Sequence, residues 1–423
     1  MRIVMLSWEY PPVIEGGLAR HVHGLATALA RRGLPVHVIT RAGGGLPDYE
    51  EEGSLTIQRV HPYLSHALDF PGWAMHLNFA MAEAGIRYLQ GLREPVILHA
   101  HDWLAAYAGT VLKHGFRLPL VATVHATEHG RMSGIHHAGH KYIHDVEWWL
   151  TYQAWQVIVC SRAMAEEVRR LFCLPADKAV PVIPNGIDLP PDPDGPLPPR
   201  EHLAPPGWPL IYFLGRLVPE KGAGVLLEAL PRVVERFPHL RLVIAGRGPW
   251  EGELRERAWH LGLQDRVHFA GFLNDGDRWA LFRYADLAVV PSTYEPFGIV
   301  ALEAMAAGTP LVVSDVGGMA EIVEHGVDGR KALPGHPDSL AEQILAALHD
   351  PAGSRQMAAR ARAKVLARYT WDRVAEATEQ VYRQVLAEWA ASPWGAAVSP
   401  WGAANPAAPP SRLTVEPAKS PLH

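Results

Sequence analysis

Cysteine is nearly absent: Cys160 and Cys173 are the only two in 423 residues, too few for a disulfide framework and set at no zinc-binding spacing. A reducing, cytoplasmic setting is the expectation. Long apolar runs are missing as well. The first, Ile3 to Leu6, soon meets Trp8, Glu9, Tyr10 and Pro11, short of the roughly seven or more apolar residues of a signal peptide. No later stretch approaches the roughly 18 of a membrane-spanning helix. Neither sign of charge dominates, since 39 Lys and Arg stand against 44 Asp and Glu for a formal net charge of -5. That balance excludes a broad electrostatic footprint for nucleic acid or anionic membrane. No G-x-G-x-x-G follows the first apolar run, which argues against a dinucleotide fingerprint.

What is present is the composition of a globular protein, 48% hydrophobic and 20% charged. The length exceeds the roughly 250 to 300 residues at which single cores stop growing, which predicts two domains. "RIVMLSW" reads as a strand, "EYPPVIEGG" as a loop and "LARHVHGLATALARRG" as a helix stopped by Gly33. The runs "PVHVIT", "PVILHAHDW", "LPLVATVHA" and "WQVIVCS" continue as short buried strands with helical patterns between several of them. This is the pattern of an α/β doubly wound parallel sheet. Prolines then crowd the chain up to Pro209, where neither a central strand nor a helix interior can form. Beyond them "LIYFLGRLVPEKGAGVLLEALPRVVERF" repeats strand, glycine loop and helix, and "LRLVIAGRG", "RVHFAGFL", "ADLAVVPS" and "TPLVVSD" add strands to a second Rossmann-like sheet. The predicted division is an N-terminal domain over 1–188, a Pro-rich linker over 189–209, a C-terminal domain over 210–370, a helix over 371–391 and a disordered tail over 392–423.

Ligands of open parallel sheets bind outside the carboxyl ends of the strands, where helix N-termini offer free N–H groups and a dipole that favours anions. Gly16 and Gly17 fill the first such loop, either as a simple turn or to let backbone amides approach a ligand. In "FLGRLVPEKG", Gly215 permits close approach while Arg216 and Lys221 supply two cations suited to a diphosphate, ordinary solvated charges being the alternative. In "STYEPFGIVALEAMAAGTP", Glu295 stands just before an apolar helix and Glu303 within it, where a carboxylate is costly unless something holds its charge. Pro296 suits the first helical turn, with Gly308 and Pro310 at the end. At about 1.5 Å per residue, Glu303 then lies roughly 10 Å along the segment, comparable to the span from sugar to ribose in a nucleotide sugar.

Histidine is abundant, at 23 residues, and His125, His129, His136, His137, His140 and His144 crowd one region. Imidazoles bind zinc, yet no H-E-x-x-H or repeated Cys and His spacing occurs, so no metal is expected there. The D-x-D pairs, Asp192 with Asp194 and Asp275 with Asp277, fall in the linker and at a helix start and are not expected to bind metal either. His125 ends the strand "LVATV", which puts it either at the cleft or in the core. Asp102 and Trp103 follow "PVILHAH", where they either hold a sugar acceptor or form a helix cap beside a core indole.

Taken together, "GGLARHV", "HAHDW", "TVHATEHG", "PNGID", "GRLVPEKG" and "EPFGIVALE" carry a resemblance over essentially residues 1 to 390. The chain resembles a retaining glycosyltransferase of family 4, with the GT-B fold of two Rossmann-like domains facing a central cleft. The resemblance implies that Arg216 and Lys221 bind the donor diphosphate, Glu303 the ribose, and Glu295 with the backbone of Phe297 and Gly298 the transferred sugar. Gly215 and Ile299 belong to the same implied donor site, Gly17 presents its amide near the phosphate, and His125 lines the reaction centre. No metal or cofactor is implied. Retention without a protein nucleophile implies front-face attack, with catalysis resting on stabilisation of the departing diphosphate and on positioning.

Within the family the resemblance is to glycogen and starch synthases, implying α-glucosyl transfer from ADP- or UDP-glucose to an α-1,4-glucan. Ile14 departs from that branch, which typically carries a Lys two residues before the paired glycines. A polyol phosphate, a lipid or a cell-wall saccharide is the rival acceptor. A nucleotide-sugar epimerase and a silent sugar-binding protein are further alternatives, and the intact set of Arg216, Lys221, Glu295 and Glu303 counts against silence.

Overall fold

The computed structural model describes residues 1–64, 66–67, 69–189 and 200–397. Asp192, Asp194, half of the expected linker and the chain from 398 onward lie outside them. Seven strands form the first sheet: β1 (Arg2–Leu6), β2 (Val36–Arg41), β3 (Tyr49–Glu52), β4 (Leu55–Val60), β5 (Val96–His101), β6 (Leu120–Val124) and β7 (Gln156–Val159). Their order is β3-β4-β2-β1-β5-β6-β7, parallel throughout except for the β3 hairpin edge. The central strands β1, β5, β6 and β7 are buried almost end to end, as expected where helices cover both faces of a sheet.

The second sheet contains β8 (Leu210–Leu214), β9 (Arg241–Ala245), β10 (Val267–Gly271), β11 (Leu287–Val290), β12 (Leu311–Ser314) and β13 (Arg330–Ala332). Its order, β10-β9-β8-β11-β12-β13, is all parallel and is the doubly wound Rossmann order. In such sheets the chain reverses direction of travel between two central strands, and the diverging loops leave a crevice. Here those strands are β1 and β5 in the first sheet, β8 and β11 in the second.

The helix Trp371–Ala391 returns to the N-terminal domain. Its Trp371, Val374, Tyr382 and Val385 join the core beneath the helix Gly17–Arg31. Contact is close because of two glycines: a Cβ on Gly24 would fall 2.0 Å from the Trp371 ring, and one on Gly186 2.5 Å from it. Gly24→Val is accordingly expected to lower stability by about 1–3 kcal/mol through overpacking, read as a lower urea midpoint. An unchanged midpoint would contradict this seating of Trp371.

Residues 393–397, expected to begin a disordered tail, instead form a short helix. Trp394 holds it in place, with its ring 5.5 Å from Lys113 Nζ and 6.4 Å from the Trp155 ring. No helix among the described residues is long and apolar enough to cross a membrane.

Candidate functional site

The C-terminal half of the site lies at the β8/β11 crevice. The loop after β8 carries Gly215, Arg216 and Lys221, and the loop after β11 carries Glu295, Phe297 and Gly298. Lys221 Nζ meets Glu295 Oε2 at 2.8 Å, and Ser292 Oγ donates to the same oxygen at 3.2 Å. Arg216 is exposed, and no side-chain bond holds it among the described residues. Phe297 is buried and anchors the loop.

Pro296 does not begin the helix. Gly298 caps it at φ +108, and the helix runs Ile299–Ala307 with no side-chain cap, because the loop turns through a left-handed conformation that only glycine adopts readily. The first amides of this helix are therefore free for an anion. Glu303 is its fifth residue, so it lies roughly 6 Å along the axis rather than 10 Å. The loop is clamped from behind by Gly317 and Gly318, since a Cβ on Gly317 would come 2.0 Å from the Glu295 carbonyl oxygen and one on Gly318 2.4 Å from Phe297 Cα.

Glu303 is buried and bonded to the buried Arg278 through Oε1. Its other oxygen, Oε2, is buried without a partner. Burial pushes the Glu303 carboxyl up, while Arg278 and Arg20 pull it back down. Arg20 reaches over from the N-terminal domain to Asp275 at 2.8 Å, so Asp275 of the second D-x-D pair is engaged by an arginine. Arg20 and Arg278 were not singled out in the sequence. Arg278 shares a helical stripe with Leu281, Phe282 and Ala285, all buried, and that spacing was the available signal.

The facing half comes from the β1/β5 crevice. Gly17 opens the helix Gly17–Arg31, and a Cβ there would sit 2.8 Å from Ile299 Cδ1 across the cleft. The glycine loop is fixed by Glu9, whose buried carboxylate accepts from the amides of Glu15 at 2.5 Å and Gly16 at 3.2 Å. The two domains also meet where Ser161 Oγ donates to the Pro296 carbonyl at 2.7 Å. Tyr294 Oη accepts from the Thr127 amide at 3.3 Å and donates to Glu167 at 3.1 Å.

His125 is partly exposed, and burial lowers its pKa to about 3, so it is a neutral hydrogen-bonding ring. The histidines gathered around it are not the sequence cluster of His129, His136, His137, His140 and His144, but His21, His99 and His101. His101 Nδ1 and His125 Nε2 are 3.1 Å apart, the His21 and His125 rings are 4.6 Å apart, and Asn185 Oδ1 holds His21 Nδ1 at 2.7 Å. Burial lowers the pKa of His21, His99 and His101 as well. Among the described residues, His21, His101 and His125 are the set whose ring nitrogens, within 4.8 Å of one another, could hold a metal ion.

Asp102 and Trp103 do not present themselves to an acceptor. Asp102 Oδ1 accepts from the His125 amide at 2.7 Å, with its carboxyl pushed up by burial to about 6. Trp103 is 5% exposed, in the core. The first is spent on fixing the His125 loop, the second on packing.

Comparison with known proteins gives the family. Residues 15–190 match the family model described as Glycosyltransferase Family 4, and residues 198–364 the one described as Glycosyl transferases group 1. The chain is 42% identical over 399 residues to an uncharacterized glycosyltransferase of Methanocaldococcus jannaschii, covering 90% of this chain and 98% of that one. It is 40% identical over 398 residues to a glycogen synthase of Mycobacterium tuberculosis, covering 90% and 94%. Among solved structures, sucrose-phosphate synthase from Thermosynechococcus elongatus superposes with a TM-score of 0.79 at 26% identity, covering 92% of this chain and 99% of that one. The chain belongs to glycosyltransferase family 4, the group 1 retaining glycosyltransferases of the GT-B fold.

Proposed function

We propose that the protein transfers an α-glucosyl group from ADP- or UDP-glucose to the end of an α-1,4-glucan. The observation that carries this reading is the Lys221–Glu295 pair at the free N-terminus of the Ile299–Ala307 helix. A cation, a carboxylate and unclaimed amides stand within one loop system facing Gly17 across the cleft. The 40% identity to a glycogen synthase supports the glucan as acceptor.

In this reading Arg216, Lys221 and the amides of Gly298 and Ile299 take up charge as the bond from the sugar to the phosphate breaks. The acceptor hydroxyl attacks from the same face and gives its proton to the departing phosphate oxygen. Glu295 accepts from sugar hydroxyls while Lys221 holds it in place, and neutral His125 shares a hydrogen bond with the sugar without repelling the developing positive charge. Glu303 Oε2, buried and unpartnered, accepts from a ribose hydroxyl. Ile14, in place of the lysine typical of glycogen synthases, favours a second reading in which the acceptor is a polyol phosphate, a lipid or a cell-wall saccharide.

The test is incubation with ADP-, UDP- and GDP-sugars against malto-oligosaccharides, inositol phosphate and lipid acceptors, reading nucleotide release and product mass. Elongation of malto-oligosaccharides is expected. Transfer to another acceptor alone would select the second reading, and free epimerised donor or no turnover at all would overturn both.

A further inference from the structure

With Asp102 and Trp103 withdrawn into the fold, the acceptor needs another surface, and one lies directly above them. Phe70 is 47% exposed although it is a large apolar side chain. It stacks nearly parallel on Trp73, with centroids 5.7 Å apart and planes 9° apart, and meets the edges of Trp8 and Trp103 at 5.9 Å each. Trp8 and Trp73 are themselves only partly covered. The Arg41 guanidinium lies 4.8 Å over Trp8 and 5.8 Å over Trp73 and pairs with Glu15 at 2.6 Å.

Each of these rings comes from the mouth of the β1/β5 crevice. Trp8 follows β1, Arg41 ends β2, Trp103 follows β5, and Phe70 and Trp73 open the helix Phe70–Leu89. The surface is continuous with the reaction cleft on two sides. Trp8 adjoins Glu9, which holds the Gly16 amide, and Trp103 adjoins Asp102, which holds the His125 amide.

Exposed aromatic surface beside charged hydrogen-bonding groups suits a ligand with apolar faces and polar edges. Nucleotide chemistry is already provided for on the opposite wall. A pyranose ring has the required character, since its axial C–H bonds form an apolar face and its hydroxyls point outward from the rim.

We propose that Phe70, Trp73 and Trp8 form an acceptor subsite on which a glucose unit of a linear α-glucan stacks, with Arg41 and Glu15 bonding its hydroxyls. This rests on the glucan reading of the function. Trp103 acts beneath it as a buried support for the Phe70 ring, which accounts for an indole at that position without any contact to sugar.

Calorimetric titration with a linear malto-oligosaccharide, without donor, tests the subsite independently of transfer. The parent protein is expected to bind with quenching of tryptophan fluorescence, Phe70→Ala to bind roughly three- to tenfold more weakly, and Phe70→Tyr to retain binding. In turnover assays Phe70→Ala is expected to raise the acceptor KM by a similar factor while the donor KM and the rate of donor hydrolysis in water stay unchanged. No binding by the parent protein, equal binding by Phe70→Ala, or a donor KM that rises along with the acceptor KM would overturn the subsite. Binding lost in Phe70→Ala together with absence of transfer to glucan would uphold the subsite and reject the proposed reaction.

Discussion

Lys221→Ala is expected to lower kcat for sugar transfer by about two to three orders of magnitude while the protein stays folded. The magnitude follows from removing one preorganised group that meets charge developing on the leaving diphosphate, an effect commonly worth a factor of about 10² to 10³. The loss is twofold in origin. In the proposed site the donor phosphate loses a cation, and Glu295, whose side chain is 12% exposed, is left with only the weaker Ser292 contact at 3.2 Å. Because the lost interaction strengthens as the bond breaks, kcat falls more than the donor KM rises. In the proposed site Arg216, exposed and without an ion pair among the described residues, supplies the remaining cation, so residual turnover is expected and disappears in the double variant with Arg216→Ala. The Lys221 side chain is partly solvated at 27% exposure, and the stability cost of losing such a pair is about 1 kcal/mol or less. Steady-state nucleotide release and circular dichroism measure the two effects, and turnover of Lys221→Ala at the parent's rate would remove Lys221 from the donor site.

The parts of this site that the sequence exposes are those in which one short segment carries both chemistry and punctuation. "GRLVPEKG" and "EPFGIVALE" each set charged residues between glycines at a strand-to-helix junction, and both loops flank the β8/β11 crevice as that grammar requires. The buried central strands are equally legible because they are continuous apolar runs. β3 is not, since "YEEE" is an exposed hairpin edge whose pairing with β4 depends on a neighbour rather than on its own composition. β13, three residues long, carries too little periodicity to register.

Residues that act through distant partners were also hidden. Glu9 supports the glycine loop, Asn185 of "PNGID" orients His21, and Arg20 crosses between domains to Asp275. Nothing local to any of them names its partner. Asp102 and Trp103 were legible as a strand end but ambiguous in direction; the structure bonds Asp102 to the His125 amide and packs Trp103 in the core. Pro296 misled for a related reason: proline commonly opens helices, but the positive φ of Gly298 delays the helix by a turn that only three-dimensional packing against Gly317 and Gly318 explains.

Arg278→Leu carries the largest expected effect on stability, a loss of about 3–5 kcal/mol, because it strands a carboxylate in the core. Glu303 is 2% exposed and Arg278 6%, and the opposing influences on Glu303 are burial, which raises its pKa, and the two arginines, which lower it. Burial already outweighs the arginines in the intact protein, and with Arg278 gone the carboxyl is pushed up further, which favours its neutral form, limits the damage and weakens the acceptor proposed for ribose. Adding Glu303→Leu removes the stranded group itself. Most of the lost stability is then expected to return, since an apolar replacement of both partners of a buried pair is often nearly neutral. Donor affinity is not expected to return with it, because Oε2 is no longer there to meet a ribose hydroxyl. Stability and donor KM should therefore separate in the double variant, which urea unfolding and initial-rate kinetics on the three proteins measure directly. Additive destabilisation in the double variant would show that the two side chains are not coupled, and a donor KM restored along with the fold would move ribose recognition away from Glu303.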